Sequence, residues 1–177
     1  GIAPVVSAPK ARADADAGAL ERRLAADPNW NGGWYYDRGG IAGTMAALRE
    51  ETLRRYGVEQ ELLPRIPDKA ARDAEIRRQA EAWAREFDGH SLLVLGRCSK
   101  RFDVMPDLGR IKAKVLYVLS STDLLFPPSL EGTVMGALRQ AGVDARYFLL
   151  ESAHGHLASG TDALKWAPAL KSFLDAL

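Results

Sequence analysis

Asp123 and two histidines, His154 and His156, supply the residue types that acid–base chemistry requires. Asp123 follows the apolar run Val115–Leu119, and both histidines follow the next strand-like run, Arg146–Leu150. If these runs are neighbouring parallel strands, their carboxyl ends meet at one edge of a sheet, about 5 Å apart. A carboxylate beside an imidazole fixes the ring tautomer and stabilises the imidazolium that forms during acyl transfer. The sequence therefore predicts an acid–histidine pair, with either histidine as the partner.

Each of these residues also has an ordinary structural explanation. An aspartate after a strand commonly holds a turn or caps a helix, and a histidine beside glycines is commonly a polar loop residue. The occurrence of both residue types after consecutive strands is what favours catalysis, because ionisable groups cluster at functional sites. The spacing, rather than any one residue, supports the prediction.

An acid–histidine pair needs a nucleophile. In α/β-hydrolases the order along the chain is serine, acid, histidine, and the serine lies on a G-x-S-x-G turn. The 177 residues contain no G-x-S-x-G sequence, and the chain begins at Gly1 rather than at methionine. We therefore expect this chain to be a piece of a longer protein whose nucleophile lies upstream of Gly1.

The elements that position the pair read as strand, helix, strand and a last helix. After the strand Val115–Leu119, a helix is expected over Ser129–Ala141, with Ser129 as its cap and Gly142 as its end. The strand Arg146–Leu150 follows, and a final helix runs to Leu177. This order predicts two parallel strands joined by a right-handed crossover, which places the chain in the α/β class.

The earlier part of the chain has a different character, because it is helical and rich in turns. Strand-like Ile2–Val6 opens the chain, and residues 29–40, NWNGGWYYDRGG, are expected to form an irregular loop lined by aromatic rings. The first helix is expected to carry Leu20 and Leu24 and to end near Asp27–Pro28, and the second to span Ile41–Tyr56 and end at Gly57. A third is expected from a cap at Asp68, with an apolar stripe of Ile76, Ala80, Trp83 and Phe87, and a more buried one around Leu92–Leu95.

Composition excludes several classes of function. Lysine and arginine total 24 and aspartate and glutamate 23, so no strong field attracts nucleic acid or an anionic membrane. No apolar stretch is long enough to span a bilayer. The single Cys98 cannot form an internal disulfide, which favours a cytoplasmic location without excluding export.

Four motifs in one order resemble the carboxyl-terminal half of homoserine O-acetyltransferase-like members of the α/β-hydrolase superfamily. Asp27–Tyr36, DPNWNGGWYY, is similar to the family's D-P-x-W-x-x-G-x-Y segment, and Phe87–Leu95, FDGHSLLVL, to its F-D-x-x-S-Y-L helix. Ser120–Pro128, SSTDLLFPP, is similar to its acid loop, and residues 152–156, SAHGH, to its histidine loop. The likeness covers nearly the whole chain.

This resemblance implies an α/β-hydrolase fold with an inserted helical lid. The expected division is a core strand and helix over 1–26, a lid over 27–105, and a carboxyl-terminal α/β core over 106–177 that carries both loops. The family's histidine follows a glycine, so the resemblance implies catalytic Asp123 and His156. His154 is then expected to be a solvent-facing loop residue and His90 to be structural.

The resemblance also suggests substrate-binding residues, with two departures from the family. The family's T-Y-R-S lid motif, whose arginine is associated with a substrate carboxylate, is represented here by Arg54, which is otherwise an ordinary solvated arginine. Leu157 stands where the family commonly has an aspartate that holds the substrate ammonium. Because leucine cannot bind an ammonium, we expect a substrate other than an amino acid. Trp34 and Tyr35 could line an apolar pocket or simply pack the lid.

The leading hypothesis is the carboxyl-terminal portion of a serine-dependent O-acyltransferase or ester hydrolase. Its partners would be a small-molecule ester, or an alcohol and an acyl donor, and the amino-terminal portion of the same protein. No permanent cofactor or metal is expected, acyl-CoA is a candidate co-substrate, and a homodimer through the lid is a candidate assembly. The alternative is a non-catalytic binding or assembly chain on the same scaffold.

Overall fold

The computed structural model describes residues 18–177, apart from the side chain of Lys100. The predicted opening strand Ile2–Val6 and most of the predicted segment 1–26 lie outside the described residues. The described chain forms two units. We call them the sheet unit, Arg55–Gln60 with Asp103–Leu177, and the helical unit, 18–54 with Glu61–Phe102. The boundaries predicted at residues 27 and 106 mark the start and end of an inserted lid. The division into two units does not test them, and they stay predictions.

The sheet unit is built on two parallel strands. Strands β1, Val115–Ser120, and β2, Ala145–Leu150, pair in register, so that Val115 lies opposite Ala145 and Ser120 opposite Leu150. Helix α6, Glu131–Gln140, connects them, which confirms the predicted strand–helix–strand unit. Because the strands end at the same level, the loops that follow them leave the sheet side by side.

Helix α6 is held against the sheet unit by one apolar face. Val134, Met135 and Leu138 are buried and pack with Leu108 and Val143. This spacing of three and four residues is that of one helix face, and burying it stabilises the unit by the hydrophobic effect.

The sequence predicts one end of α6 correctly and the other wrongly. Gly142 has φ +74°, the left-handed conformation that ends a helix, so the predicted end is confirmed. The predicted cap at Ser129 is wrong. Ser129 lies inside a 3-10 turn, Pro128–Leu130, and α6 begins after Leu130 without a side-chain cap. The prolines before it fix an extended entry, so a tight turn takes the place of the cap.

The chain after β2 contains two helices where the sequence suggested one. A 3-10 turn at Gly155–Leu157 leads into the short helix α7, Ala158–Thr161, and then into α8, Ala163–Asp175. The two helices meet at Asp162, whose backbone N–H bonds to the carbonyl of Ala158. The turn places His156 directly before α7.

Residues 18–102 form helices and turns, as the sequence predicts. The helices are α1 Ala19–Ala25, α2 Ala42–Tyr56, α3 Val58–Leu62, α4 Lys69–Glu86 and α5 Gly89–Arg101. Gly57, with φ +90°, ends α2 as predicted, whereas α3 was not predicted. The cap at Asp68 is confirmed, since its side chain accepts a hydrogen bond from the Ala71 N–H at 2.7 Å.

The core of the helical unit is apolar and aromatic. Its buried members are Leu24, Trp30, Tyr35, Ile41, Met45, Ala84 and Leu93. Ile76 and Ala80 of α4 are fully buried, as their helical spacing predicts. The expectation of a more buried helix around Leu92–Leu95 is wrong for Leu95, which is 56% exposed. Helix α5 has an amphipathic pattern, so only one of its faces reaches this core.

Candidate active site

Asp123 and His156 lie in hydrogen-bond contact at the carboxyl end of the sheet. The Nδ1 atom of His156 is 2.8 Å from Oδ2 of Asp123. Asp123 follows β1 and His156 follows β2, so the contact forms where the two parallel strands end. Asp123 is 7% exposed, and the side chain of His156 is 16% exposed. Little water competes for this contact, which strengthens it.

Both oxygens of the Asp123 carboxylate take part in hydrogen bonds. Its Oδ1 accepts hydrogen bonds from the N–H groups of Leu125, at 2.7 Å, and Phe126, at 3.1 Å. These donors come from the loop that Asp123 itself begins, a local arrangement that aspartate commonly adopts at turns. The turn role and the chemical role are therefore compatible, because one oxygen serves the turn and the other serves His156.

A set of hydroxyl groups joins the acid loop to the histidine loop. The Thr122 hydroxyl donates to the carbonyl of Ser152 at 2.7 Å and accepts from the Gly155 N–H at 3.0 Å. The Ser121 hydroxyl donates to the same carbonyl at 3.3 Å and accepts from the Ser152 N–H at 3.1 Å. We call Ser121, Thr122, Ser152 and Gly155 the loop clamp. It fixes the distance across which the acid and the imidazole meet.

Replacing Thr122 by valine should loosen the loop clamp. The change keeps the shape of the side chain but leaves the Gly155 N–H without its acceptor, so we expect the free energy of unfolding to fall by about 1–2 kcal/mol. Urea denaturation of the wild type and the variant measures this. Thr133→Val, at an exposed position of α6, is the matched control and should change little. Equal stability of both variants would contradict the role of the clamp.

The ring of His156 also contacts two aromatic rings. The Tyr56 ring centroid lies 4.9 Å away and that of Phe126 5.5 Å away. Phe126 belongs to the acid loop, whereas Tyr56 is the last residue of α2 and lies in the sheet unit with His156. Sequence reasoning missed Tyr56, because no local pattern links a helix end to a histidine loop so far along the chain. With Nδ1 facing Asp123, the Nε2 atom is the one left to exchange a proton with a substrate or nucleophile.

Comparison with curated proteins finds transferases. The chain is 31% identical to a serine O-succinyltransferase of Stenotrophomonas maltophilia over 90% of this chain and 50% of that protein. It is 30% identical to a homoserine O-acetyltransferase of Haloferax prahovense over 87% of this chain and 45% of that protein. The chain thus spans about half the length of the curated relatives it matches. No protein-family model matches it.

Superposition on solved structures identifies the fold of the chain. The homoserine O-acetyltransferase from Bacillus anthracis superposes with a TM-score of 0.76 at 17% identity, over 96% of this chain and 51% of that one. The chain resembles the carboxyl-terminal half of homoserine O-acetyltransferase-like proteins, and it has an α/β-hydrolase fold. An esterase superposes with a TM-score of 0.74 at 24% identity, over 93% of this chain and 52% of that one. The predicted resemblance and fold are confirmed.

The second histidine of the loop, His154, is not part of the pair. The backbone N–H of His154 bonds to the Ser152 hydroxyl at 3.0 Å, and its Nδ1 is buried without a hydrogen-bond partner among the described residues. The expectation that His154 faces solvent is therefore wrong for this atom. The loop turns at Gly155, φ +55°, so that His156 rather than His154 meets Asp123.

Arg54 lies in the helical unit and is bound to two carboxylates. Its guanidinium is 2.8 Å from Glu50 and 3.0 Å from Asp73. The hydrogen bond that Arg54 donates to Glu50 raises the pKa of Arg54, partial burial opposes the shift, and Asp73 adds to it. Arg54 is thus neither simply solvated nor without counter-charge.

The other predicted substrate-binding residues occupy different surroundings. Trp34 is 69% exposed, with its ring edge-on to His90 at 6.2 Å between centroids. Tyr35 is buried in the core of the helical unit, where its hydroxyl donates to Asp88 and accepts from the Gly89 N–H at 2.8 Å. Leu157 is partly buried beside His156. Of these three residues, Trp34 is exposed, Leu157 is partly exposed and Tyr35 is buried.

Tyr35 makes the helical unit sensitive to alkali. Burial and the hydrogen bond to Asp88 raise the pKa of Tyr35 to about 12. The folded chain holds this proton more tightly than the unfolded chain, so the stabilisation is complete below about pH 10 and is lost as pH rises towards about 12. We expect the free energy of unfolding to fall over this range. Tyr35→Phe should make the fall shallower, by up to ~1.4 kcal/mol per pH unit.

Urea denaturation at several pH values between about 9 and 12 tests this expectation. Burial also raises the pKa of Tyr117 to about 12, so part of the slope should remain in the variant. Tyr36→Phe is the comparison variant, since Tyr36 bonds to the same Asp88 but is 57% exposed. That hydrogen bond also raises the pKa of Tyr36, so we expect a change of the same sign but smaller than in Tyr35→Phe. An unchanged slope in Tyr35→Phe would contradict the assignment.

Metal binding and membrane insertion receive no support from the described part of the chain. Among residues 18–177, no group of three or more His, Cys, Asp or Glu side chains is arranged to hold a metal ion. No helix in the same range is both long and apolar enough to cross a membrane.

Proposed function

We propose that the complete protein is a serine-dependent acyl-transfer enzyme, either an O-acyltransferase or an ester hydrolase, to which this chain contributes the acid and the base. The observation that carries the proposal is the 2.8 Å contact between His156 Nδ1 and Asp123 Oδ2 at the ends of two parallel strands. The 31% identity to a serine O-succinyltransferase supports the same reaction class. The predicted lid, 27–105, and core, 106–177, belong to this proposal.

Each residue has a defined part in the reaction. Asp123 accepts the Nδ1–H of His156 and leaves the lone pair on Nε2. Nε2 takes the proton of the nucleophilic hydroxyl as it attacks the acyl carbon, and the ionised Asp123 stabilises the imidazolium. His156 then returns the proton to the leaving group, and the second half of the reaction repeats these steps with water or an alcohol. The nucleophile comes from the sequence upstream of Gly1.

The acceptor is proposed to lack an amino-acid head group. Leu157 offers no counter-charge for an ammonium next to His156. Arg54, the candidate for a substrate carboxylate, is paired with Glu50 and Asp73. The exposed Trp34 stays a candidate for an apolar pocket, whereas the buried Tyr35 is better explained as lid packing. Acyl-CoA would enter as a co-substrate in the transferase form, and no resident cofactor is proposed.

Activity of the complete protein separates the two enzyme forms. A p-nitrophenyl ester should be turned over, and the rate is compared with and without acyl-CoA and candidate alcohols. Turnover without an acceptor would count against an obligate transferase. A fluorophosphonate probe, which reacts with an activated serine, should label the protein upstream of this chain. Absence of labelling and of turnover would favour a non-catalytic scaffold instead.

A further inference from the structure

The junction between α2 and α3 touches the histidine loop at backbone level. A Cβ atom added to Gly57 would lie 3.0 Å from the carbonyl oxygen of His154, and one added to Gly155 would lie 3.1 Å from that of Tyr56. Both glycines also have positive φ, +90° and +55°. A side chain at either position would crowd the opposite backbone and would require a left-handed conformation that side chains disfavour. The position of Tyr56 is therefore fixed relative to the loop that carries His156.

The Tyr56 ring uses this fixed position to contact the imidazole. Its centroid is 4.9 Å from that of His156, which is within the distance range of aromatic contacts, and the ring planes are tilted by 39°. Phe126 adds a second ring at 5.5 Å and 33°. Each of these rings reaches His156 from a different segment of the sheet unit.

The hydrogen bond to Asp123 alone does not fix the imidazole. A ring held at Nδ1 can still swing about that bond, and such a swing moves Nε2, the atom on the far side of the ring. Contacts on the body of the ring remove this freedom. Displacing a catalytic group by about 1 Å can cost on the order of a hundredfold in rate.

We propose that Tyr56 is a positioning residue for His156. Its ring, held by the backbone contact of Gly57 and Gly155, keeps the imidazole in the orientation in which Nδ1 faces Asp123 and Nε2 faces the nucleophile. Phe126 assists from the acid loop. The proposal rests on the proposed function, because the orientation matters only if His156 transfers a proton. It requires the aromatic ring of Tyr56 rather than the hydroxyl group.

The test compares Tyr56→Leu with Tyr56→Phe in the complete protein, assayed with a p-nitrophenyl ester. Tyr56→Leu removes the ring and should lower kcat on the order of 10- to 100-fold, with KM changed less than about threefold. Tyr56→Phe keeps the ring and should retain kcat within about threefold. Loss of folded protein alone would also lower the apparent kcat with KM unchanged, so kcat is calculated per active site, counted by titration with the fluorophosphonate probe. A residue that merely supports the fold would leave this corrected kcat unchanged.

A spectroscopic measurement keeps the proposal testable if Tyr56→Leu folds poorly. NMR of protein labelled with ¹⁵N-histidine follows the Nδ1–H proton of His156, which should be protected from exchange with water in the wild type and in Tyr56→Phe. Tyr56→Met, an unbranched replacement, should speed this exchange. Unchanged exchange in Tyr56→Met, or an unchanged kcat in Tyr56→Leu, would overturn the proposal. If His156→Ala itself kept full activity, the proposed function would fail instead.

Discussion

Replacing His156 by alanine in the complete protein is expected to lower turnover on the order of 10⁴-fold or more. The variant loses the group that takes the proton from the nucleophile and later gives it to the leaving group. The residual rate would come from substrate binding and oxyanion stabilisation alone. Steady-state kinetics with a p-nitrophenyl ester measures the loss, and circular dichroism checks that the variant is folded.

His154→Ala is the matched control for this prediction. His154 lies two residues away in the same loop, yet its ring is not paired with Asp123, whose Oδ2 faces His156. We expect far smaller losses from this variant. A larger loss at His154 than at His156 would reverse the assignment of the base, and equal losses would show that the geometry of the loop, rather than one imidazole, limits the rate.

The second large effect is expected from Asp123→Asn, on the order of 10⁴-fold in kcat. The amide oxygen of asparagine can still accept the N–H groups of Leu125 and Phe126, so the turn should be preserved. Its NH₂ group then faces His156 Nδ1 and donates to it. This forces the proton of the neutral ring onto Nε2, which can no longer take one from the nucleophile.

Kinetics and stability together test this interpretation. The variant should unfold at nearly the same urea concentration as the wild type while losing almost all of its turnover. Asp107→Asn, an exposed carboxylate paired with Arg110, is a suitable control and should change neither quantity much. If Asp123→Asn kept more than about a tenth of the wild-type kcat, a role of Asp123 in fixing the tautomer would be excluded.

Local sequence signals were enough to predict the two parallel strands and the helix between them. The apolar run Val115–Leu119 and the helix-ending Gly142 mark β1 and the end of α6 without any tertiary information. Once two strands are parallel and consecutive, their carboxyl ends must be adjacent, so a meeting of Asp123 with a histidine of the next loop follows from chain order. The choice of His156 over His154 came from the family resemblance. A contact between the acid and a histidine could therefore be predicted from the sequence.

The features that were missed depend on contacts between distant segments. The contact of Tyr56 with His156 arises where α2 ends against the histidine loop. No periodicity or capping rule describes such an encounter. The burial of His154 Nδ1 was missed as well. The exposure of Leu95 likewise depends on which face of α5 the core covers, and apolar residues on consecutive positions of a helix do not reveal it.

The in-register pairing of β1 and β2 limits how the length of this part of the chain can vary. One extra residue inside either strand would shift its loop by about 3.3 Å and turn every later side chain to the opposite face. A displacement of this size would break the 2.8 Å contact between His156 Nδ1 and Asp123 Oδ2. Insertions in the connection around Gly142 should therefore preserve the contact. Insertions between Val115 and Ser120, or between Ala145 and Leu150, should abolish it.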